Sequence, residues 1–220
     1  MKKTEVLKRI EEVGIIPVVR ASSVDEALGV AEAIKAGGVA VLEITMTVPH
    51  SVNLIERLAD RYGSEVLVGA GTVLDRETAR SCILAGASFV VSPSLDPGTV
   101  ETCRRYSVAV FPGALTPTEV VSAWQCGADA VKVFPCSAVG GASYLRALKA
   151  PLPQVELIPT GGVSLATAAE FIKAGAFALG VGSDLVDTNA IRAGQPGKVT
   201  DSARAYIAAV QAARSSLVKS

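Results

Sequence analysis

Apolar residues fall along this chain in short runs, separated by longer segments with helical spacing. The runs are GIIPVVR (14–20), VAVLEITM (39–46), EVLVGAGTV (65–73), SFVVSP (88–93), VAVFPGA (108–114), DAVKVFP (129–135), VELIPTGG (155–162) and FALGVGS (177–183). Such runs read as strands buried on both faces, the pattern of parallel sheets. Between them lie segments such as SVDEALGVAEAIKAGG (23–38) and RETARSCILAGA (76–87), whose apolar residues recur at helical intervals. The junctions KAGG (35–38), LAGA (84–87), QCGA (125–128) and KAGA (173–176) repeat, each closing a helix with a glycine suited to the left-handed C-cap. Ser23 with Asp25 and Glu26, and Thr116-Pro117-Thr118-Glu119, read as capped helix starts.

Eight strand–helix units in 220 residues, with no linker, predict one domain over 1–220. The expected fold is an α/β (β/α)8 TIM barrel with an extra N-terminal helix, MKKTEVLKRIEEVG. An open doubly wound sheet is the alternative, and the strand count and even spacing favour the barrel. The last helix is expected over 199–217, after a loop (186–198) of the kind that carries an extra turn.

Composition narrows the classes of function. The 21 basic and 21 acidic side chains give no net charge and form no block, which argues against nucleic acid and anionic membrane surfaces. Glu5, Glu11 and Glu12 interrupt the N-terminal apolar positions, so that segment is not a signal peptide. No run approaches the roughly 18 apolar residues of a membrane span. Cys82, Cys103, Cys126 and Cys136 match no zinc or CxxC spacing and read mostly as small helical core residues in a reducing, cytoplasmic protein. One histidine, His50, argues against a multi-histidine metal site or a His-based triad.

The chemistry lies where strands carry polar residues. Alternation places Glu43, Thr45 and Thr47 on one strand face and Leu42, Ile44 and Met46 on the other. In DAVKVFP, Lys132 falls with Ala130 and Phe134, while Val131 and Val133 face the other way. Turning both apolar sets toward the helices points Glu43 and Lys132 into the barrel, with Arg20 and Thr72 at neighbouring strand ends. Two readings stay open: a buried ion pair that fills the barrel, or an amine nucleophile. An amine in an apolar cavity loses part of its preference for the charged form and can form a Schiff base with a ketone, with a nearby carboxylate moving protons.

Gly161-Gly162 and Gly182-Ser183 end the last two expected strands, the frequent phosphate site of this fold. VGAGTV lacks the dinucleotide spacing and is read as a strand ending in small residues. His50 reads as a solvated or capping loop residue and Trp124 as helix packing. Arg20 reads either as an ion-pair partner of a carboxylate or as a donor fork for a substrate carboxylate.

Together IIPVVR, GGVAVLEITMTVP, VGAGTVLD, GASFVVSPSLD, PGALTPTE, DAVKVFP, IPTGGVS and GVGSDLV, in that order from about Gly14 to Val186, resemble the 2-keto-3-deoxy-6-phosphogluconate (KDPG) and 4-hydroxy-2-oxoglutarate (KHG) aldolases. The resemblance implies a class I aldolase, a carbon–carbon lyase, on a (β/α)8 barrel, needing no cofactor and no metal, and usually a homotrimer. It implies Lys132 as the Schiff-base residue and Glu43 as the general acid/base. Thr72 would lie near the pyruvyl carboxylate, Pro93 and Phe134 would line the pocket, and Gly161, Gly162, Gly182 and Ser183 would bind phosphate. Some members carry a carboxylate-binding arginine four residues after the glutamate; this chain has Thr47 there and resembles the branch with an arginine ending strand 1. Arg20 is therefore expected to take over the anion contact.

The expected ligands are a phosphorylated 2-keto acid and pyruvate. The rivals are an aldolase for the phosphogalactonate epimer or for unphosphorylated KHG, a phosphate-binding barrel isomerase without an imine, and a non-catalytic sugar-phosphate sensor.

Overall fold

The computed structural model describes residues 1–217. Ten α-helices alternate with nine strand segments among these residues, and every strand pairing is parallel. Helix α1 (Lys3–Val13) precedes β1 (Ile15–Val19), α2 (Val24–Ala36), β2 (Val41–Thr45), α3 (Ser51–Tyr62), β3 (Leu67–Gly71), α4 (Arg76–Leu84), β4 (Phe89–Val91) and α5 (Pro97–Arg105). Next come β5 (Ala109–Phe111), β6 (Gly113–Ala114), α6 (Pro117–Cys126), β7 (Val131–Val133), a 3-10 turn (Cys136–Val139) and α7 (Ala142–Lys149). The chain closes with β8 (Leu157–Pro159), α8 (Leu165–Lys173), β9 (Leu179–Val181), α9 (Thr188–Arg192) and α10 (Pro196–Leu217).

The strands curl into a parallel α/β sheet. One stretch runs β5-β4-β3-β2-β1-β9 and the other β6-β7-β8, and a parallel bridge between Thr160 and Gly180 links β8 to β9. The fifth expected strand breaks in two at Pro112. Proline has no N–H for the ladder, and the chain changes partner there: Phe111 pairs with Val91 of β4, whereas Gly113 pairs with Lys132 of β7. The carbonyl of Pro112 still accepts the Lys132 N–H at 2.9 Å, so the break leaves β7 anchored. The other strands are shorter than their apolar runs, because the run ends turn into loops that carry the site.

Alternation along the strands divides the apolar interior into two cores. Leu42, Ile44, Val131 and Val133 pack outward against helix residues such as Ile34, Leu54, Ile55 and Phe171. Val41, Leu67, Phe89, Phe111, Ala130 and Ile158 turn inward, and Val6 and Ile10 of α1 close this inner core from below. The Phe89 and Phe111 rings meet there at 5.8 Å. Lys3 of α1 also pairs with Asp129 at 2.7 Å, just before β7. The N-terminal helix is therefore a plug under the strand that carries Lys132.

The helix punctuation follows local rules. The four junction glycines, Gly38, Gly86, Gly127 and Gly175, all have φ between 90° and 96°, a region open to glycine and strained for other residues. Ser23 accepts the Glu26 N–H, and Thr116 with Glu119 forms a capping box on α6. Trp124 departs from expectation: it is 42% exposed, because Val120 and Ala123 form the buried face of α6. His50 is an exposed residue in the left-handed conformation at the N-cap of α3, and its side chain makes no cap bond. No helix among the described residues is long and apolar enough to cross a membrane.

Candidate active site

Glu43 and Lys132 point into the curl of the sheet from β2 and β7, one layer above the inner core. Each is 2% exposed. Lys132 Nζ lies 3.9 Å from Glu43 Oε1, at ion-pair rather than hydrogen-bond distance. Glu43 Oε1 is buried and has no hydrogen-bond partner. A buried, unpaired polar oxygen is costly, and no donor among the described residues satisfies this one. The amine also lies over the Phe134 ring, 5.3 Å from its centroid.

Small residues on β3 make room for this pair. A Cβ on Gly71 would lie 2.0 Å from Glu43 Oε1, and one on Gly69 would lie 2.3 Å from the Phe89 ring. The two glycines of VGAGTV thus seat the carboxylate and the inner-core aromatic beneath it. Sequence reasoning missed this role; the signal was the spacing, since both glycines fall on the face that the register sets against Glu43 and Thr45. Thr72 follows with φ 58°, a conformation that β-branched residues rarely adopt and that recurs at functional sites.

Thr45 is buried and donates to the Val19 carbonyl at 3.0 Å, and its oxygen lies 2.7 Å from that of Thr47. A hydroxyl has one proton. With that of Thr45 given to Val19, Thr47 donates to Thr45 and offers outward only acceptor lone pairs. Thr47 itself is exposed, in the turn after β2.

Beside the pair opens a cavity of about 340 Å³ lined by Arg20, Phe134, Thr160, Gly161, Gly162, Gly182 and Ser183, among others. Arg20 is exposed and pairs with no carboxylate among the described residues, and the ion pair of Glu43 is with Lys132. The Arg20 guanidinium lies 3.6 Å from the position of a Cβ on Gly182, the residue after β9. Gly161 and Gly162 turn the chain into α8 with φ of 85° and 75°. A Cβ on Gly162 would meet Ser137 at 2.2 Å. An unpaired guanidinium, two backbone turns and a helix N-terminus form the donor set of an anion site. The cavity also holds Asp184 and Ser164, which the sequence reading did not single out.

A second cavity of about 380 Å³ lies on the other side of Phe134, lined by Pro93, Ser94, Gly113 and Glu119 among others. The Glu119 carboxylate is engaged there by the Leu115 and Thr116 N–H groups, which hold it below its ordinary range. Arg20, Phe134, Gly161, Gly162, Gly182 and Ser183 thus gather around one cavity, and Pro93 lines the second, which shares Phe134; Lys132 and Glu43 are buried and line neither. Thr47 and Thr72 line neither cavity.

The three buried cysteines offer no competing nucleophile. Burial pushes Cys82 and Cys136 up to about 11 and Cys103 up to about 12. No group of three or more His, Cys, Asp or Glu side chains among the described residues is arranged to hold a metal ion.

Residues 6–202 match the protein family described as KDPG and KHG aldolase. The chain belongs to this family. As a member of the KDPG/KHG aldolases it is a carbon–carbon lyase. It is 35% identical over 195 residues to the 2-dehydro-3-deoxy-phosphogluconate aldolase of Treponema pallidum, covering 89% of this chain and 92% of that one. It is 36% identical over 182 residues to the 2-dehydro-3-deoxy-6-phosphogalactonate aldolase of Escherichia coli, covering 82% and 86%. Its fold superposes with a TM-score of 0.84 on the KDPG aldolase of Legionella pneumophila with pyruvate captured as a covalent carbinolamine. That chain is 29% identical, with 91% of this chain and 97% of that one covered.

Proposed function

We propose that this aldolase is a class I enzyme that cleaves 2-keto-3-deoxy-6-phosphogluconate to pyruvate and glyceraldehyde 3-phosphate through a Schiff base on Lys132. The observation that carries the reading is the dry pair: an amine and an unpartnered carboxylate oxygen 3.9 Å apart, behind a cavity with an unpaired arginine. The captured carbinolamine of the Legionella relative supports the same covalent chemistry.

The neutral Lys132 amine adds to the C2 ketone, and Glu43 delivers the proton with which the carbinolamine oxygen leaves as water. The protonated imine withdraws electrons. Loss of the C4 hydroxyl proton to Glu43 breaks the C3–C4 bond, its electron pair going to the imine as an enamine while the aldehyde departs. Proton return to C3 and addition of water release pyruvate and restore the amine.

Arg20, Gly161, Gly162, Gly182 and Ser183 hold the phosphate, and Pro93 and Phe134 shape the pocket. Thr72 and Thr47 flank the pyruvyl half, Thr47 as an acceptor only. The sheet works as a closed (β/α)8 barrel in a single domain; the bridge between Thr160 and Gly180 and the run through Pro112 support closure. By family resemblance we also assign a cytoplasmic homotrimer and a secondary activity on 4-hydroxy-2-oxoglutarate.

Pyruvate with borohydride is expected to add one reduced pyruvyl group to Lys132, read by peptide mass spectrometry. No adduct, or an adduct on another lysine, would refute the mechanism. The E. coli relative favours a second reading, cleavage of the C4 epimer, 2-keto-3-deoxy-6-phosphogalactonate. The ratio of kcat/KM for the two epimers decides between them.

A further inference from the structure

The Arg20 side chain has no ion-pair or hydrogen-bond partner among the described residues, so its backbone has to aim it. That backbone is held at two points. Before Arg20, the Val19 carbonyl accepts the Thr45 hydroxyl at 3.0 Å, and Val19 is paired with Ile44 of β2. After it, the Ser22 N–H and hydroxyl both donate to Glu26 Oε2, at 2.5 and 2.8 Å. Only Arg20 and Ala21 lie between the two anchors.

Glu26 is an unusual anchor. It is 6% exposed in the first turn of α2, whereas the neighbouring Asp25 is exposed. A carboxylate there favours the helix dipole without being buried, so capping alone does not explain its burial. Its second oxygen, Oε1, lies 3.3 Å from Nε of Arg192 on α9. One turn further along α2 the two helices are in close contact: a Cβ on Gly29 would lie 2.9 Å from Ile191 Cγ2. Burial by itself would raise the Glu26 carboxyl, but the Ser22 N–H and hydroxyl, Arg192 and Thr188 outweigh it and hold the group below its ordinary 4.5. Glu26 is therefore an anion at neutral pH, held from α9 on one side and holding Ser22 on the other.

Taking the cavity beside Arg20 as the phosphate site of the reading above, we propose that Glu26 is a positioning residue that aims the Arg20 guanidinium at the substrate's phosphoryl group. It touches no substrate. By fixing Ser22 it confines the two-residue span that carries Arg20, and the guanidinium stays 3.6 Å from the position of a Cβ on Gly182. The backbone is ordered before the anion arrives, so binding does not bear the cost of ordering it.

The test is calorimetric titration of the full-length protein with inorganic phosphate. Glu26→Ala is expected to weaken phosphate about three- to tenfold, the range of one hydrogen bond, and to leave borohydride trapping of pyruvate on Lys132 unchanged. Arg20→Ala is expected to weaken phosphate at least as much. In that background Glu26→Ala is expected to weaken it no further, because one residue acts through the other. Ser23→Ala separates aim from helix stability: it removes the hydroxyl that accepts the Glu26 N–H, destabilises α2 and is expected to leave phosphate affinity unchanged.

Three results would each overturn the proposal: a Glu26→Ala protein that binds phosphate as tightly as wild type or loses pyruvate trapping in step with it, a Glu26→Ala effect that persists without Arg20, or a Ser23→Ala protein that loses as much affinity. If Glu26→Ala does not fold, Ser22→Ala decides. That position is exposed, and loss of its hydroxyl is expected to weaken phosphate about threefold; unchanged affinity refutes the anchor. A wild type that binds no phosphate overturns the phosphate site and this proposal together, whereas failure to trap pyruvate on wild-type Lys132 refutes the aldolase reading alone.

Discussion

Gly71→Ala tests the site through a residue that carries no chemistry. Gly71 lies in a strand with φ outside the left-handed region, so an alanine fits its backbone. The added methyl, however, would lie 2.0 Å from Glu43 Oε1 and 2.6 Å from its Cδ and Cγ. Reaching an ordinary 3.4 Å contact requires a displacement of about 1.4 Å. The carboxylate has no slack on its buried side, where the inner core begins, so it must swing relative to Lys132. A misplacement of about 1 Å costs on the order of 100-fold in rate, and a positioned acid/base group contributes about 10² to 10⁴. Turnover is therefore expected to fall about 100-fold, or about 2.7 kcal/mol of activation free energy. The overpacked strand should also lose about 1–3 kcal/mol of stability. Pyruvate release coupled to lactate dehydrogenase reads the rate, and urea unfolding reads the stability. Glu43→Asp, one methylene shorter, should damage the wild type more than it damages Gly71→Ala, because the two changes share one contact. A Gly71→Ala enzyme within about threefold of wild-type turnover would refute the claim that this seat positions the carboxylate.

Two further outcomes follow from burial and from a cap. Lys132→Met alone leaves Glu43 as an uncompensated buried charge and should cost about 3–5 kcal/mol, whereas Lys132→Met with Glu43→Leu should be inactive yet at least as stable as wild type; urea denaturation checks both, and a double variant as unstable as the single would sink the argument. Glu119 is held below its ordinary value of 4.5, first by the Leu115 N–H and then by that of Thr116. Its contribution is therefore present above pH 4.5 and is lost as pH falls through the lowered folded value, so the gap in melting temperature between wild type and Glu119→Gln should be widest near neutrality and close in acid.

The fold was legible where periodicity is strong. Alternation in VLEITM and DAVKVFP assigned Leu42, Ile44, Val131 and Val133 to the helix side, and those residues do pack there. The same alternation turns Glu43 and Lys132 to the inner side, where they lie 3.9 Å apart. Pro112 marks where this reasoning stopped. Apolar residues run through VAVFPGA without a break, and only the ladder's need for an N–H separates β5 from β6. Trp124 failed for a related reason: helical spacing identifies a face, but which face packs depends on neighbours distant in sequence.

Why the pair can stay buried at all follows from what surrounds it. Taking a lysine and a glutamate out of water is recovered only where the geometry is close and the remaining polar atoms are satisfied. Here neither condition is met: the separation is 3.9 Å and Glu43 Oε1 has no hydrogen bond. The two apolar cores have to supply that stability, and the plug formed by Val6 and Ile10 of α1 matters because it completes the inner core. A ketone and its departing water would supply the missing donor and acceptor between the two groups. The apolar residues beneath the site are therefore part of its chemistry: they keep an unsatisfied pair in place until the substrate satisfies it.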